Sequence, residues 1–232
     1  MMLALQQVAT LTAKDLRIEG RTRQTLGLVL VLGVLIVSVL GMGFGDNPQL
    51  AATGTPAILW VAYIFSGVLC FEKTMAVERQ DGALAGLLLA PIDRGVIYFS
   101  KLLSNLLLML AVATVVTLVG LLFFRFDLSP APWGFVLIIA ISMLGFAAVG
   151  TLFAALVSST RLQGGLLAMV IFPIILPLVI ASTSQLNAMF RSGATPGLFG
   201  PDGNISGLSI LIAFDAIFLV VSWLVFELVL EP

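Results

Sequence analysis

The chain has 232 residues, 60% of them apolar and 10% charged, with a mean hydropathy of +1.16. Soluble domains carry about 25% charged residues, so too few polar side chains are present to cover a water-facing surface. That excludes an ordinary soluble enzyme, a disordered chain and a nucleic-acid binder with a basic face. Eleven basic and 12 acidic residues leave a net charge of −1, which implies no bulk electrostatic partner, and a single cysteine, Cys70, excludes an internal disulfide. An all-α integral membrane protein is expected.

In chain order, residues 3–20 read as an amphipathic helix lying in the headgroup plane. At 100° per residue Ala4, Leu5, Val8, Ala9, Leu11, Leu16 and Ile18 share one half of the wheel, and Lys14, Arg17 and Arg21 the other. Asp15 and Glu19 fall on the apolar arc, one turn apart. Two readings stand: fraying or an i,i+4 ion pair from Glu19 to Arg23, or carboxylates that meet basic residues of another cytoplasmic element.

About 20 apolar residues cross a bilayer core, and six stretches qualify: 26–44, 55–71, 102–124, 133–157, 166–181 and 209–230. They are continuous runs without period-2 alternation, which argues against a β-barrel. The first is too long for a signal-peptide core, follows 23 polar-rich residues and lacks a cleavage pattern, so it is expected to stay in the mature protein. It ends in a GxxxG at Gly41 and Gly45, and the fourth carries a small-residue stripe at Gly150, Ala154 and Ser158; both patterns suit close helix contact. Pro173 and Pro177 stand on one face of the fifth span and bend it.

Between the second and third spans, residues 72–101 form a loop with its own short helix. Asp81 and Gly82 start it, Ala83 to Leu89 build it and Pro91 stops it. Leu84, Leu87, Leu88 and Leu89 are unusually apolar for such a loop, which fits either a docking surface or a turn folded back on the membrane. Nine of the 11 Lys and Arg residues fall on the side of residues 1–23, 72–101 and Arg161; only Arg125 and Arg191 fall on the other. The positive-inside rule therefore puts both termini in the cytoplasm and residues 182–208 outside.

Catalytic chemistry is scarce. With no histidine there is no Ser-His-Asp triad and no imidazole-bound zinc. Cys70, among Val68, Leu69 and Phe71, reads as packing. A phosphate-binding loop is missing too: the nearest approach, Gly67 to Glu72–Lys73–Thr74, has glutamate where the second glycine belongs. A non-enzyme is expected. Asp215 and Glu227 in the sixth span are the intramembrane ionisable groups; Asp215 suits a hydrogen bond across a helix interface, or the lining of a path or dimer seam. Asn204–Ile205–Ser206 matches a glycosylation sequon with nothing else to suggest its use.

Certain segments resemble the haem exporter protein B family, the membrane subunit of an ABC-type complex in cytochrome c maturation. They are Ile58–Leu59–Trp60–Val61, Glu78–Arg79–Gln80–Asp81–Gly82–Ala83–Leu84 and Leu87–Leu88–Leu89–Ala90–Pro91, with Lys14 to Glu19 and Phe172 to Ile180. The resemblance covers nearly the whole chain and implies a single ABC-2 type transmembrane domain over 1–232 in a bacterial inner membrane. It implies as partners a second copy, an ABC ATPase that binds the ATP, a haem-handling membrane protein, a small single-span protein and a haem chaperone. Glu78, Asp81, Gly82, Leu84, Leu87, Leu88 and Pro91 would then form the coupling element on the ATPase.

Composition qualifies that picture. Haem ligands are typically His, Cys, Met or Tyr, and this chain offers no His, one Cys, eight Met and two Tyr, Tyr63 and Tyr98. No cofactor is expected to be bound directly; haem would be handled by the complex. Either the subunit moves haem weakly through an apolar path, or it turns ATP hydrolysis into mechanical work on the haem-handling partner, the reading preferred here. The same architecture serving another cargo, or an ATPase-independent assembly factor, are the alternatives.

Single cysteines in a Cys70→Ala background test the topology. A cysteine at position 86 should resist an impermeant maleimide in intact cells and react after permeabilisation; labelling from outside would invert the orientation.

Overall fold

The computed structural model describes residues 2–43, 48–80, 92–124, 131–158, 165–192, 197 and 206–229. The described residues form seven helices: α1 (Met2–Thr22), α2 (Gln24–Gly43), α3 (Pro48–Gln80), α4 (Arg94–Phe124), α5 (Pro132–Ser158), α6 (Leu166–Ser192) and α7 (Gly207–Val229). The last six are each long and apolar enough to cross a bilayer. Helices satisfy their own backbone groups, the condition for spanning hydrocarbon.

The helices run past the apolar stretches that announce them. α4 begins at Arg94 rather than near 102, because Val96, Ile97, Tyr98, Ser100 and Lys101 are buried. Tyr98 and Lys101 thus belong to a packed helix rather than to a loop. α6 continues beyond 181 to Ser192 since Ser182, Leu186 and Met189 remain inside the bundle. α3 likewise extends to Gln80. Hydropathy marks where lipid wets a helix, whereas tertiary contact decides where the helix stops.

α5 is the most buried of the six and α2 the least. α5 packs on α3, α4, α6 and α7, while α2 leans on α3 and α4, and α1 lies mainly along α4. Small residues on α5 let its neighbours approach. A Cβ at Gly150 would collide with the Phe71 ring of α3, and one at Gly67 of α3 would collide with Phe146 of α5. Phe71 and Phe146 meet edge-on at 5.1 Å, and Trp60 meets Phe146 at 6.5 Å and Tyr63 at 5.9 Å. All four rings are essentially inaccessible. Gly33 of α2 is similarly tight against Val116 and Ser66, 2.7 and 2.8 Å from where a Cβ would stand, and Ser66 Oγ donates to the Val29 carbonyl at 3.2 Å.

One residue, Arg23, makes the corner between α1 and α2 in left-handed conformation, φ 51°. For a residue with a Cβ this costs about 1–2 kcal/mol. Three bonds hold it: Arg23 N donates to the Glu19 carbonyl (2.6 Å), Gly27 N to the Arg23 carbonyl (3.1 Å), and Leu26 N to Glu19 Oε1 (2.6 Å).

Gly67→Ala should lower thermal stability in detergent, with overpacking of about 1–3 kcal/mol. Gly27→Ala, where a Cβ meets nothing within 4 Å, should be neutral or stabilising. Equal melting temperatures for the two variants would contradict the packing.

Candidate functional site

Asp15 and Glu19 lie on the side of α1 turned to the bundle. Asp15 Oδ2 is 2.5 Å from Lys101 Nζ of α4, Ser104 Oγ donates to the same oxygen at 3.3 Å, and Lys14 Nζ stands 3.3 Å from Oδ1. The Asp15 and Lys101 side chains are only 15% and 8% exposed. One turn towards the N-terminus, Thr12 Oγ1 donates to the Ser100 carbonyl at 3.2 Å. Glu19 caps α2 through Leu26 N. The two carboxylates therefore tie the amphipathic helix to α4 and α2. Meanwhile Leu5 and Ile18 remain exposed, available to a membrane interface.

Within the spans many of the polar groups pair with one another. Trp60 Nε1 donates to Ser182 Oγ at 3.0 Å; Ser182 and Ser142 hydroxyls are 3.0 Å apart; Ser142 Oγ donates to the Ile138 carbonyl at 2.7 Å. The chain joins α3, α6 and α5. Asn105 of α4 donates to Thr151 of α5 at 2.9 Å and accepts from Thr74 of α3 at 3.1 Å. Tyr63 and Thr117 hydroxyls stand 2.6 Å apart. Lys101, Asn105, Ser142 and Ser182 carry no motif. Their signal is a single polar residue inside an apolar run, which in lipid needs a partner.

Asp215 of α7 is 5% exposed and lies against Gly145 of α5, where any Cβ would collide with its Oδ1. That oxygen has no hydrogen-bond partner among the described residues. Leu178 of α6 closes the same spot. Pro173 and Pro177 face outward on α6, together with Met169, Leu176 and Ile180. Each proline lacks an N–H, so the carbonyls of Met169 and Pro173 lose their usual helical donors on that outward face.

Cys70, Tyr63 and Tyr98 are buried at 2%, 0% and 0% exposure. Gly41 packs on Phe123 and Phe124, Gly150 on Phe71, and Ala154 is buried. Asp81, Gly82, Leu84, Leu87, Leu88 and Pro91, as well as Gly45, Asn204 and Ile205, lie outside the described residues. Glu78, Ser158 and Glu227 sit at the ends of α3, α5 and α7, with side chains outside the description. What the described groups do chemically is anchor and orient helices: the buried thiol and phenols are sealed from water.

Residues 6–227 match the CcmB protein family. The chain is 24% identical over 175 residues to Heme exporter protein B of Haemophilus influenzae, covering 75% of this chain and 79% of that one. It is 26% identical over 195 residues to Heme exporter protein B of Pseudomonas aeruginosa, covering 81% and 83%. For the Heme exporter protein B of Paracoccus denitrificans the figures are 29% over 175 residues, 73% and 78%.

Replacing one member of the buried ion pair should cost more than replacing both. Asp15→Asn, which takes the carboxylate away from the buried Lys101 ammonium, should destabilise by about 1.5–3 kcal/mol, and Asp15→Asn with Lys101→Met should recover part of it. Thermal unfolding of both variants in detergent checks this; an equal loss in both would remove the pair from the anchoring of α1.

Proposed function

The chain belongs to the CcmB protein family, and from that premise we propose that it is the haem-exporting permease subunit of an ABC-type complex serving cytochrome c maturation. In this reading two copies sit in the bacterial inner membrane with both termini cytoplasmic. A separate ATPase supplies ATP hydrolysis, and a haem-handling membrane protein, a small single-span protein and a periplasmic haem chaperone complete the complex. The family match over 6–227 carries the proposal.

Three features support its finer parts. Residues 81–91 fall between α3 and α4 in sequence, and α1 packs on the N-terminal part of α4 through Thr12 and Asp15. The leucines of 81–91 have the character of a docking helix. The proline face of α6 supports self-association: two carbonyls without helical donors are poorly suited to hydrocarbon and better suited to a protein seam or a wet path. Finally, most of the described side chains able to hold iron are withdrawn. Tyr63 is hydrogen-bonded inside the core and Cys70 is buried, while Met42 and Met169 are exposed but offer only weak thioether ligands. Haem is therefore assigned to ligands on the partner protein, with this subunit transmitting mechanical work to it.

Leu87→Asp and Leu88→Asp test the coupling. Each should leave the protein in the membrane, lower recruitment of the ATPase by tenfold or more and reduce cytochrome c yield, as expected when a buried apolar anchor is lost. Normal ATPase recovery and normal cytochrome c in both variants would remove the docking role.

A further inference from the structure

An apolar cleft of about 530 Å³ opens at the α1 end of the bundle. Leu5 and Val8 of α1 form one wall, Phe99 and Leu103 of α4 another, with Leu144 of α5 and Trp223 of α7 completing it. Among the described residues lining it, one is ionisable, Asp93. We propose that this cleft holds an acyl chain of a membrane phospholipid whose ethanolamine headgroup is recognised by Asp93.

Position argues for lipid. The cleft lies between an interfacial amphipathic helix and the ends of two spans, where acyl chains are the surrounding medium; on the topology proposed above that is the cytoplasmic leaflet. Trp223 is 43% exposed and its indole rests against Gly95, its Nε1 2.5 Å from where a Cβ would stand. A half-exposed indole at this depth is the ordinary marker of the membrane–water interface. A volume of about 530 Å³ accommodates a slender alkyl chain along its length.

Charge selects the headgroup. Asp93 is exposed, its Oδ1 accepts Gly95 N at 3.0 Å and caps α4, and among the described residues no further side-chain bond engages the carboxylate at the rim. A primary ammonium answers it; the net negative head of phosphatidylglycerol is repelled. At a solvent-exposed rim such a pair gives a preference of roughly 1.4- to fivefold.

The test uses the full-length protein reconstituted in equal phosphatidylethanolamine and phosphatidylglycerol, re-extracted in mild detergent and weighed by native mass spectrometry. One phosphatidylethanolamine per chain is expected to persist. Leu103→Trp and Val8→Trp, which fill the cleft, should each lose it while melting like the parent. Asp93→Ser keeps a capping side chain but removes the charge. It should retain one lipid with the headgroup preference reduced to about one, and it keeps the proposal testable if the filled variants fail to fold. No retained lipid, retention unaffected by both tryptophans, or an unchanged preference in Asp93→Ser would overturn the assignment. So would loss of a co-purifying membrane protein, with lipid kept, when the cleft is filled in the intact complex.

Discussion

Two aromatic rings seated on two glycines hold the centre of this bundle. Phe146 of α5 rests on Gly67 of α3, and Phe71 of α3 rests on Gly150 of α5, so each helix supplies one ring and one gap. In hydrocarbon the contact gains nothing from expelling water, because lipid tails are as apolar as the rings; close packing has to do the work. Trp60 extends the contact to α6 through Ser182, and Asn105 extends it to α4 through Thr151 and Thr74. The position of every other span is referred to this pair of helices.

The amphipathic helix is positioned by a different kind of force. α1 has no glycine seat; it is held by the Asp15–Lys101 pair, the Thr12 bond to Ser100 and the Glu19 cap on α2. A buried pair of this kind adds little net stability over an apolar substitute, yet leaves a heavy cost when one partner is missing. Its effect is therefore to specify one placement of α1 along α4. That placement also builds one wall of the apolar cleft and leaves Leu5 and Ile18 outward.

Most of the described polar groups inside the spans are taken up by helix contacts, Asp215 Oδ1 and the Tyr98 hydroxyl excepted, which bears on what the subunit can do. Tyr63, Cys70 and Tyr98 are closed off, and Trp60, Ser142 and Ser182 are bonded to one another. Among the described residues of the spans, what stays open is mainly apolar: the proline face of α6 and the cleft beside α1. The proposed transmission of mechanical work rests on this closure of the described polar groups.

The six spans were legible in the sequence because continuous apolar runs of this length have one stable use, crossing hydrocarbon. The N-terminal amphipathic helix was legible too, since its periodicity is a local property. Even the oddity of Asp15 and Glu19 could be seen as two acids on the wrong arc, though their partners could not be named: Lys101 lies 86 residues away. Helix ends at Arg94 and Ser192 were not legible, because buried contacts with other helices, rather than hydropathy, carry those helices on. Nor was it possible to tell Gly67 and Gly150, each filled by a ring from the opposite helix, from Gly27, which faces open space. Composition and periodicity decide which segments enter the membrane and which face is apolar. Only the tertiary structure decides which small residue receives which ring and which buried charge finds its counterion, because those pairings depend on distances between helices that no local pattern encodes.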